Sequence, residues 1–172
     1  MALRLVTHAE RPELRHLAPA AEEVWPEYNL HGDVMNEWWG ALLEELAEYQ
    51  FCLVDEETGA VVAEAHTGPL AWSGDDAELP PSIDDAVAVV VRARRDGASV
   101  DSLCALAAEV APDARRGGLA GELLGGMTEL ARRHGLRRVI APVRPSWKER
   151  YPLTPIERYV NWRREDGELL DP

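Results

Sequence analysis

Residues 103–135 constrain the fold of this chain more than any other stretch: LCALAAEV, then APDARRGGLAG, then ELLGGMTELARRHG. The first part is almost wholly apolar, which suits a strand covered on both faces. Pro112 ends it, because proline has no N–H for a ladder. Arg115, Arg116, Gly117 and Gly118 then make a turn where backbone can approach a ligand with no Cβ in the way. A helix follows, with Leu119, Leu123, Met127 and Leu130 on one stripe. Gly121, Gly125 and Gly126 inside it each cost about 1 kcal/mol relative to alanine, and they predict close packing of helix on sheet. His134 and Gly135 stop the helix. A helix opening from such a turn presents unpaired N–H groups and the positive end of its dipole, a ready site for phosphate.

Glycine spacing separates three kinds of phosphate site. No Gly-Lys-Ser/Thr follows the glycines, as a P-loop requires, and the G-x-G-x-x-G of a dinucleotide site is missing. Arg115-Arg116-Gly117-Gly118-Leu119-Ala120 does match R-x-x-G-x-A. The same six residues would also make a glycine-rich strand-to-helix turn with two solvated arginines. With Val110-Ala111-Pro112 before it, the stretch resembles the acetyl-coenzyme A motif of the GNAT family of N-acetyltransferases. That resemblance implies an α/β (α+β) fold: a mixed, mostly antiparallel central sheet flanked by helices, with its two central strands splayed. It also implies that Arg115, Arg116, Gly117, Gly118, Leu119, Ala120 and Gly121 hold the pyrophosphate of acetyl-CoA. The backbone of Ala108 and Val110 would pair with the pantetheine arm.

Composition bounds the remaining possibilities. At 172 residues the chain is most simply one domain. No apolar run reaches a membrane span, and no signal-peptide pattern opens the chain. Cys52 and Cys104 lie in apolar runs without a second Cys or a His at ligand spacing, so buried free thiols in a reducing cytoplasm are expected, with no disulfide and no metal. The net charge of −13 argues against nucleic-acid binding. Charge is unevenly spread: nine Arg/Lys stand against three Glu between Arg115 and Arg150, a basic patch suited to an anionic cofactor. Only Lys148 of the 18 Lys+Arg residues is lysine, a usage that resembles high-GC bacterial proteins. Arg132, Arg133, Arg137 and Arg138 read as solvation of a helix end.

Taken in order, residues 3–7 read as a first strand, and Thr7-His8-Ala9-Glu10 has capping-box spacing for a helix start. Residues 34–49 read as a helix with Trp38, Leu42, Leu46 and Tyr49 near one face. Between them stand Trp25, Tyr28 and His31, which the resemblance makes candidates for the acceptor pocket; aromatic packing and a surface histidine explain them equally. Residues 51–67 read as a hairpin turning at 55–59. Gly68, Pro69 and Gly74 predict a bend that presents Trp72, a further acceptor-site candidate, near a sheet edge. Ser82 is an N-cap for a helix over residues 83–95, although its valines also suit a strand. Residues 138–143 read as the strand beside the cofactor strand. Pro112 and Pro142 would limit their pairing, which is what a splayed pair permits.

Family members often carry Asn, then Ala three residues later and Tyr four beyond, on a helix beside the cofactor thiol. By that resemblance Arg144 takes a cofactor-side position, and Tyr151 the acid position; Trp147 departs from the pattern and Pro152 shortens the helix. Tyr159 is the alternative acid, in a helix started by Thr154-Pro155-Ile156-Glu157, with Ile156, Tyr159, Val160 and Arg163 facing the body. Glu109, beside the turn, is the candidate base; it reads equally as a salt-bridged carboxylate. A backbone N–H of the splayed strand would supply the oxyanion donor. The implied reaction is acetyl transfer to an amine of an unidentified acceptor, small molecule or peptide. Acyl-CoA sensing and other acyl-CoA chemistry remain open on the same fold. The family fold adds two more strands, for which no residues remain. The expectation is a single acetyltransferase-like domain over residues 1–172, incomplete at its C-terminus, with a homodimer partner or second chain completing the sheet.

Overall fold

The computed structural model describes residues 2–16, 33–114 and 118–171. The chain forms two compact units, residues 1–142 and 143–172.

The first unit is built on one five-stranded sheet in the order β1-β2-β3-β4-β5: β1 (Leu3–Thr7), β2 (Gln50–Asp55), β3 (Val61–Leu70), β4 (Ser102–Val110) and β5 (Arg138–Ile140). The first three pairings are antiparallel and β4–β5 is parallel. The mixed, mostly antiparallel sheet expected from the sequence is therefore present. Its helices are α1 (Asp33–Glu45), α2 (Ile83–Arg95) and α3 (Leu119–Arg133).

Register separates the two faces of the sheet. Leu5, Leu53, Ala63 and Val110 form one cross-strand row, and Phe51, Ala65 and Ala108 lie in the next on the same face. That face receives α3, whose Leu119, Leu123, Met127 and Leu130 are all buried. Each such side chain contributes roughly 1.5–3 kcal/mol by leaving water. Gly126 lets the helix settle: a Cβ there would lie 2.9 Å from Cε2 of Phe51. The other face carries Val6, Cys52, Glu64 and Glu109 in one row, and Leu14 of a short 3-10 segment (Pro12–His16) packs against its apolar part.

Several local expectations change. Thr7 and Glu10 do exchange capping-box bonds, Glu10 N–H to Thr7 Oγ1 at 3.2 Å and Thr7 N–H to Glu10 Oε2 at 2.7 Å. They close a turn, however, and only a 3-10 segment follows, because Pro12 resets the chain. Gly68 and Pro69 do not bend the chain away; β3 runs through them to Leu70, and a Cβ on Gly68 would fall on the Val90 side chain. Gly68 is thus required where α2 approaches the strand. Of the three helix glycines only Gly126 meets the sheet; Gly121 and Gly125 are exposed, with nothing within 4 Å of a Cβ. Residues 141–143 are not strand: β5 stops at Ile140, two residues before Pro142. Arg138 is no solvating end-group, since it bonds Asp101 Oδ2 at 2.7 Å and lies over the Trp72 ring.

The second unit holds a 3-10 turn (Lys148–Arg150) and a single-turn helix, α4 (Ile156–Tyr159). Residues 144–151 form no α-helix. The N-cap of α4 is Pro155, without a side-chain bond, so Thr154 does not cap it. Tyr159 is buried in a cluster with Tyr151 and Trp162, while Ile156 and Val160 stay exposed, because one helical turn covers only one residue of its face.

Candidate active site

Gly118 opens α3 at φ 75°, ψ 11°, the left-handed region that glycine alone enters without strain. No side chain caps the helix. The Gly121 N–H turns back to Gly118 O at 3.0 Å, while Leu119 and Ala120 sit where helical N–H groups lack a helical acceptor. Leu119 anchors the turn by its buried side chain; Gly118, Ala120 and Gly121 are exposed. A Cβ on Gly118 or Gly121 would meet nothing within 4 Å. Among the described residues, the mouth of the helix is open.

β4 leads to that mouth and loses its partner on the way. It pairs with β5 at Ser102, Leu103 and Cys104 only, opposite Arg138, Val139 and Ile140. Beyond Cys104 the strand keeps β3 on one side, through Val110 opposite Ala63, and β5 is gone from the other. Pro142 stands just past this parting, and Pro112 lies well beyond it. Ala108 and Val110 are on the parted stretch; Glu109 lies between them, buried, on the face away from α3.

The other predicted site residues divide by location. Trp25, Tyr28, His31, Arg115, Arg116 and Gly117 lie outside the described residues. Trp72 sits at the far end of β4: its N–H bonds Asp101 Oδ1 at 3.1 Å and its indole N–H bonds Asp75 O at 2.8 Å. The fold does not bring it to the turn. Arg144, Tyr151 and Tyr159 belong to the second unit. There the Tyr159 hydroxyl donates to Asp171 Oδ2 at 2.8 Å, and burial, with that carboxylate, pushes it up to about 12. Asp171 also accepts the N–H groups of Ser146 and Trp147, at 2.8 and 2.7 Å. Tyr159 is therefore tied into the local structure, whereas Tyr151 is partly exposed.

Sequence reasoning passed over a buried polar cluster beside Glu109. Glu64 is the cross-strand partner of both Cys52 and Glu109. His8 Nε2 lies 3.0 Å from Glu64 Oε1 and 3.6 Å from Cys52 Sγ. His66 Nε2 lies 3.7 Å from Glu64 Oε2, and Trp39 of α1 packs edge-on to the His66 ring. Burial, partly offset by Glu64, pushes His66 down to about 4, so the ring is neutral near pH 7. Burial and Glu64 push the Cys52 thiol up to about 12. The signal available was a Glu and a His at alternate positions of a strand otherwise rich in Ala and Val; spacing along the chain could not show His8 meeting Cys52.

A mostly antiparallel open sheet, whose parallel pair parts beside a glycine-opened helix, is the GNAT fold. No protein-family model matches the chain. The chain is 26% identical over 175 residues to the arginine N-acetyltransferase avaD of Aspergillus versicolor, covering 94% of this chain and 60% of that protein's length. Among solved structures it is similar to the loading GNATL domain of CurA from Lyngbya majuscula, with TM-score 0.65 and 21% identity over 99% of this chain and 78% of the other. It is also similar to the GphF GNAT-like decarboxylase in complex with isobutyryl-CoA, with TM-score 0.64 and 20% identity over 100% and 80%. The fold is GNAT, in agreement with the resemblance read from residues 115–120. Among the described residues, no helix is long and apolar enough to cross a membrane.

Proposed function

We propose that this chain is an acetyl-CoA-dependent N-acetyltransferase acting on an amine. The observation that carries this reading is the parting of β4 from β5 directly upstream of an open, uncapped helix mouth. A coenzyme A fits there on three counts. The Gly118 backbone leaves no Cβ in the approach, the first N–H groups of α3 lack helical acceptors, and β4 past Cys104, without a β5 partner, leaves backbone groups for an extended arm. Gly118, Leu119, Ala120 and Gly121, with Arg115, Arg116 and Gly117, would hold the pyrophosphate; Ala108 and Val110 would hold the arm. Bound acetyl-CoA supplies an activated acyl group.

The chain's own groups then divide the work. Glu109, on the strand beside the arm, takes a proton from the acceptor amine, directly or through water. A backbone N–H on the parted edge of β4 stabilises developing negative charge. Tyr151 is the candidate acid, and the Tyr159 hydroxyl, engaged by Asp171, is the weaker one. The acceptor class is a small molecule or peptide amine, for which arginine, the substrate in the name of the fungal relative, is the first probe. Buried, unpaired thiols at Cys52 and Cys104 suit a reducing cytoplasm.

A second reading, other acyl-CoA chemistry on the same fold, is favoured by residues 144–151: they lack the α-helix and two of the three residues that the family places beside the thiol. One assay separates them. Purified chain with acetyl-CoA and a panel of amines should release thiol in step with acetylated amine. Thiol release without acetylated product supports the second reading, and coenzyme A binding without thiol release overturns both.

A further inference from the structure

We propose that His8, Cys52 and Glu64 form a binding site for one divalent transition-metal ion, Zn2+ by the chemistry of the ligands, with His66 beside it. Three strands bring them together. Cys52 and Glu64 are cross-strand partners on β2 and β3, and His66 stands two residues beyond Glu64 on the same strand, paired with Gln50. The His8 N–H bonds Gln50 O at 2.9 Å, which carries β1 one row further and sets the His8 ring over Cys52 and Glu64.

The distances suit a small ion. Donor atoms of His8, Cys52 and Glu64 all lie within 4.8 Å of one another, and all three residues are buried. Around a tetrahedral Zn2+ with bonds of about 2.0–2.3 Å, neighbouring ligand atoms stand about 3.3–3.6 Å apart. The 3.6 Å between His8 Nε2 and Cys52 Sγ already meets this, and the 3.0 Å between His8 Nε2 and Glu64 Oε1 needs to open by a few tenths.

A second, independent observation comes from His66. The Gln50 side-chain amide donates to Leu46 O at 2.9 Å and to Thr67 O at 2.8 Å, so its Oε1 is fixed as the acceptor. That oxygen accepts the Thr67 N–H at 3.2 Å and faces His66 Nδ1 at 3.3 Å. Nδ1 is therefore the ring nitrogen that donates there, and Nε2 is turned to Glu64 Oε2 at 3.7 Å, out of water. Among the described residues Glu64 meets imidazoles and no guanidinium or ammonium group. A cation between His8, Cys52 and Glu64 would bring positive charge to that carboxylate.

The ligand set is sulfur, nitrogen and carboxylate oxygen, which suits Zn2+ and disfavours Mg2+ or Ca2+. One thiolate and one carboxylate balance the charge of the ion. On binding, the Cys52 S–H proton leaves to solvent. With His8 Nε2 on the ion, the ring hydrogen would stand on Nδ1, an atom with no hydrogen-bond partner among the described residues. No oxidation or reduction is involved. With three protein ligands the ion would hold β1, β2 and β3 together and keep its fourth position for water or, after a side-chain shift, for His66.

The test is independent of the enzymatic reading. The full chain, stripped with chelator, is titrated with Co2+ and followed by its thiolate-to-cobalt charge-transfer absorption; Zn2+ retained after desalting is counted by emission spectrometry. The expected result is one equivalent of either metal. Cys52→Ser should lose the charge-transfer band and Cys104→Ser should keep it, with Glu64→Gln at least about tenfold weaker. Absence of the band in the unaltered protein, or less than half an equivalent of retained Zn2+, overturns the proposal, and this arm stands even if Cys52→Ser fails to fold. A folded Cys52→Ser that binds Co2+ as the parent does also overturns it.

Discussion

Cys104 is the last residue of β4 to pair with β5, and Ile140 is its partner. From that pair the two strands part, and β4 runs on through Val110 with only β3 beside it. Among the described residues, β4 has no ladder partner on its β5 side from Ala105 to Val110, on the way to the Gly118 turn.

Gly118 tests the turn. Gly118→Glu places a carboxylate at the helix mouth and forces a side chain into a left-handed backbone at φ 75°. Coenzyme A should bind at least ~100-fold more weakly, equivalent to about 2.7 kcal/mol. Gly118→Ala carries the backbone strain alone, about 1–2 kcal/mol, and should lose far less affinity. Calorimetric titration of both variants checks this; equal affinities in Gly118→Glu and the parent would remove the phosphate assignment.

Glu109 tests the chemistry. Glu109→Gln should lower kcat for amine acetylation by roughly 100-fold while leaving coenzyme A affinity unchanged. Steady-state kinetics beside a binding titration read both. A fall in affinity with unchanged kcat would place Glu109 in cofactor binding instead.

Two adjacent glycines in α3 should behave oppositely. Gly125 is exposed with no neighbour within 4 Å of a Cβ, so Gly125→Ala should stabilise by up to about 1 kcal/mol. At Gly126 the added Cβ lies 2.9 Å from Phe51 Cε2 and 3.1 Å from Leu5 Cδ1, so Gly126→Ala should destabilise by about 1–3 kcal/mol. Urea unfolding of the pair decides it.

Asp101 ties the start of β4 to β5 and gives a pH signature. The Trp72 N–H, the Ser102 hydroxyl and the Arg138 guanidinium hold its carboxyl below the ordinary 3.8. Its folded value is depressed, so its stabilisation is present above pH 3.8 and is lost as pH falls through the folded value. Asp101→Asn should unfold at lower urea than the parent at pH 7, and the gap should narrow below pH 3.8. A gap that stays constant across that range would contradict the assignment.

Much of the fold could be read from periodicity and caps. Residues 83–95 form a helix between the Ser82 cap and Arg95 despite four valines, because Asp85 N–H finds Ser82 Oγ at 3.1 Å and three of the valines, Val87, Val90 and Val91, are buried against the core. The Leu119–Leu130 stripe and the Gly135 stop were equally legible. Residues whose meaning lies in a partner distant in sequence were not. Gly68 looks like a bend until Val90 of α2 is seen against it. Thr154-Pro155 looks like a cap, yet α4 ends after one turn. His8, Cys52, Glu64 and His66 are scattered along the chain, and only the β1–β2–β3 register assembles them.

The most direct measurement is amide hydrogen exchange of the full chain with and without coenzyme A. Protection should rise at Ala108 and Val110 and at Leu119 and Ala120, with the β1–β2 amides unchanged. Coenzyme A that binds while leaving both stretches as exchangeable as before would contradict the account.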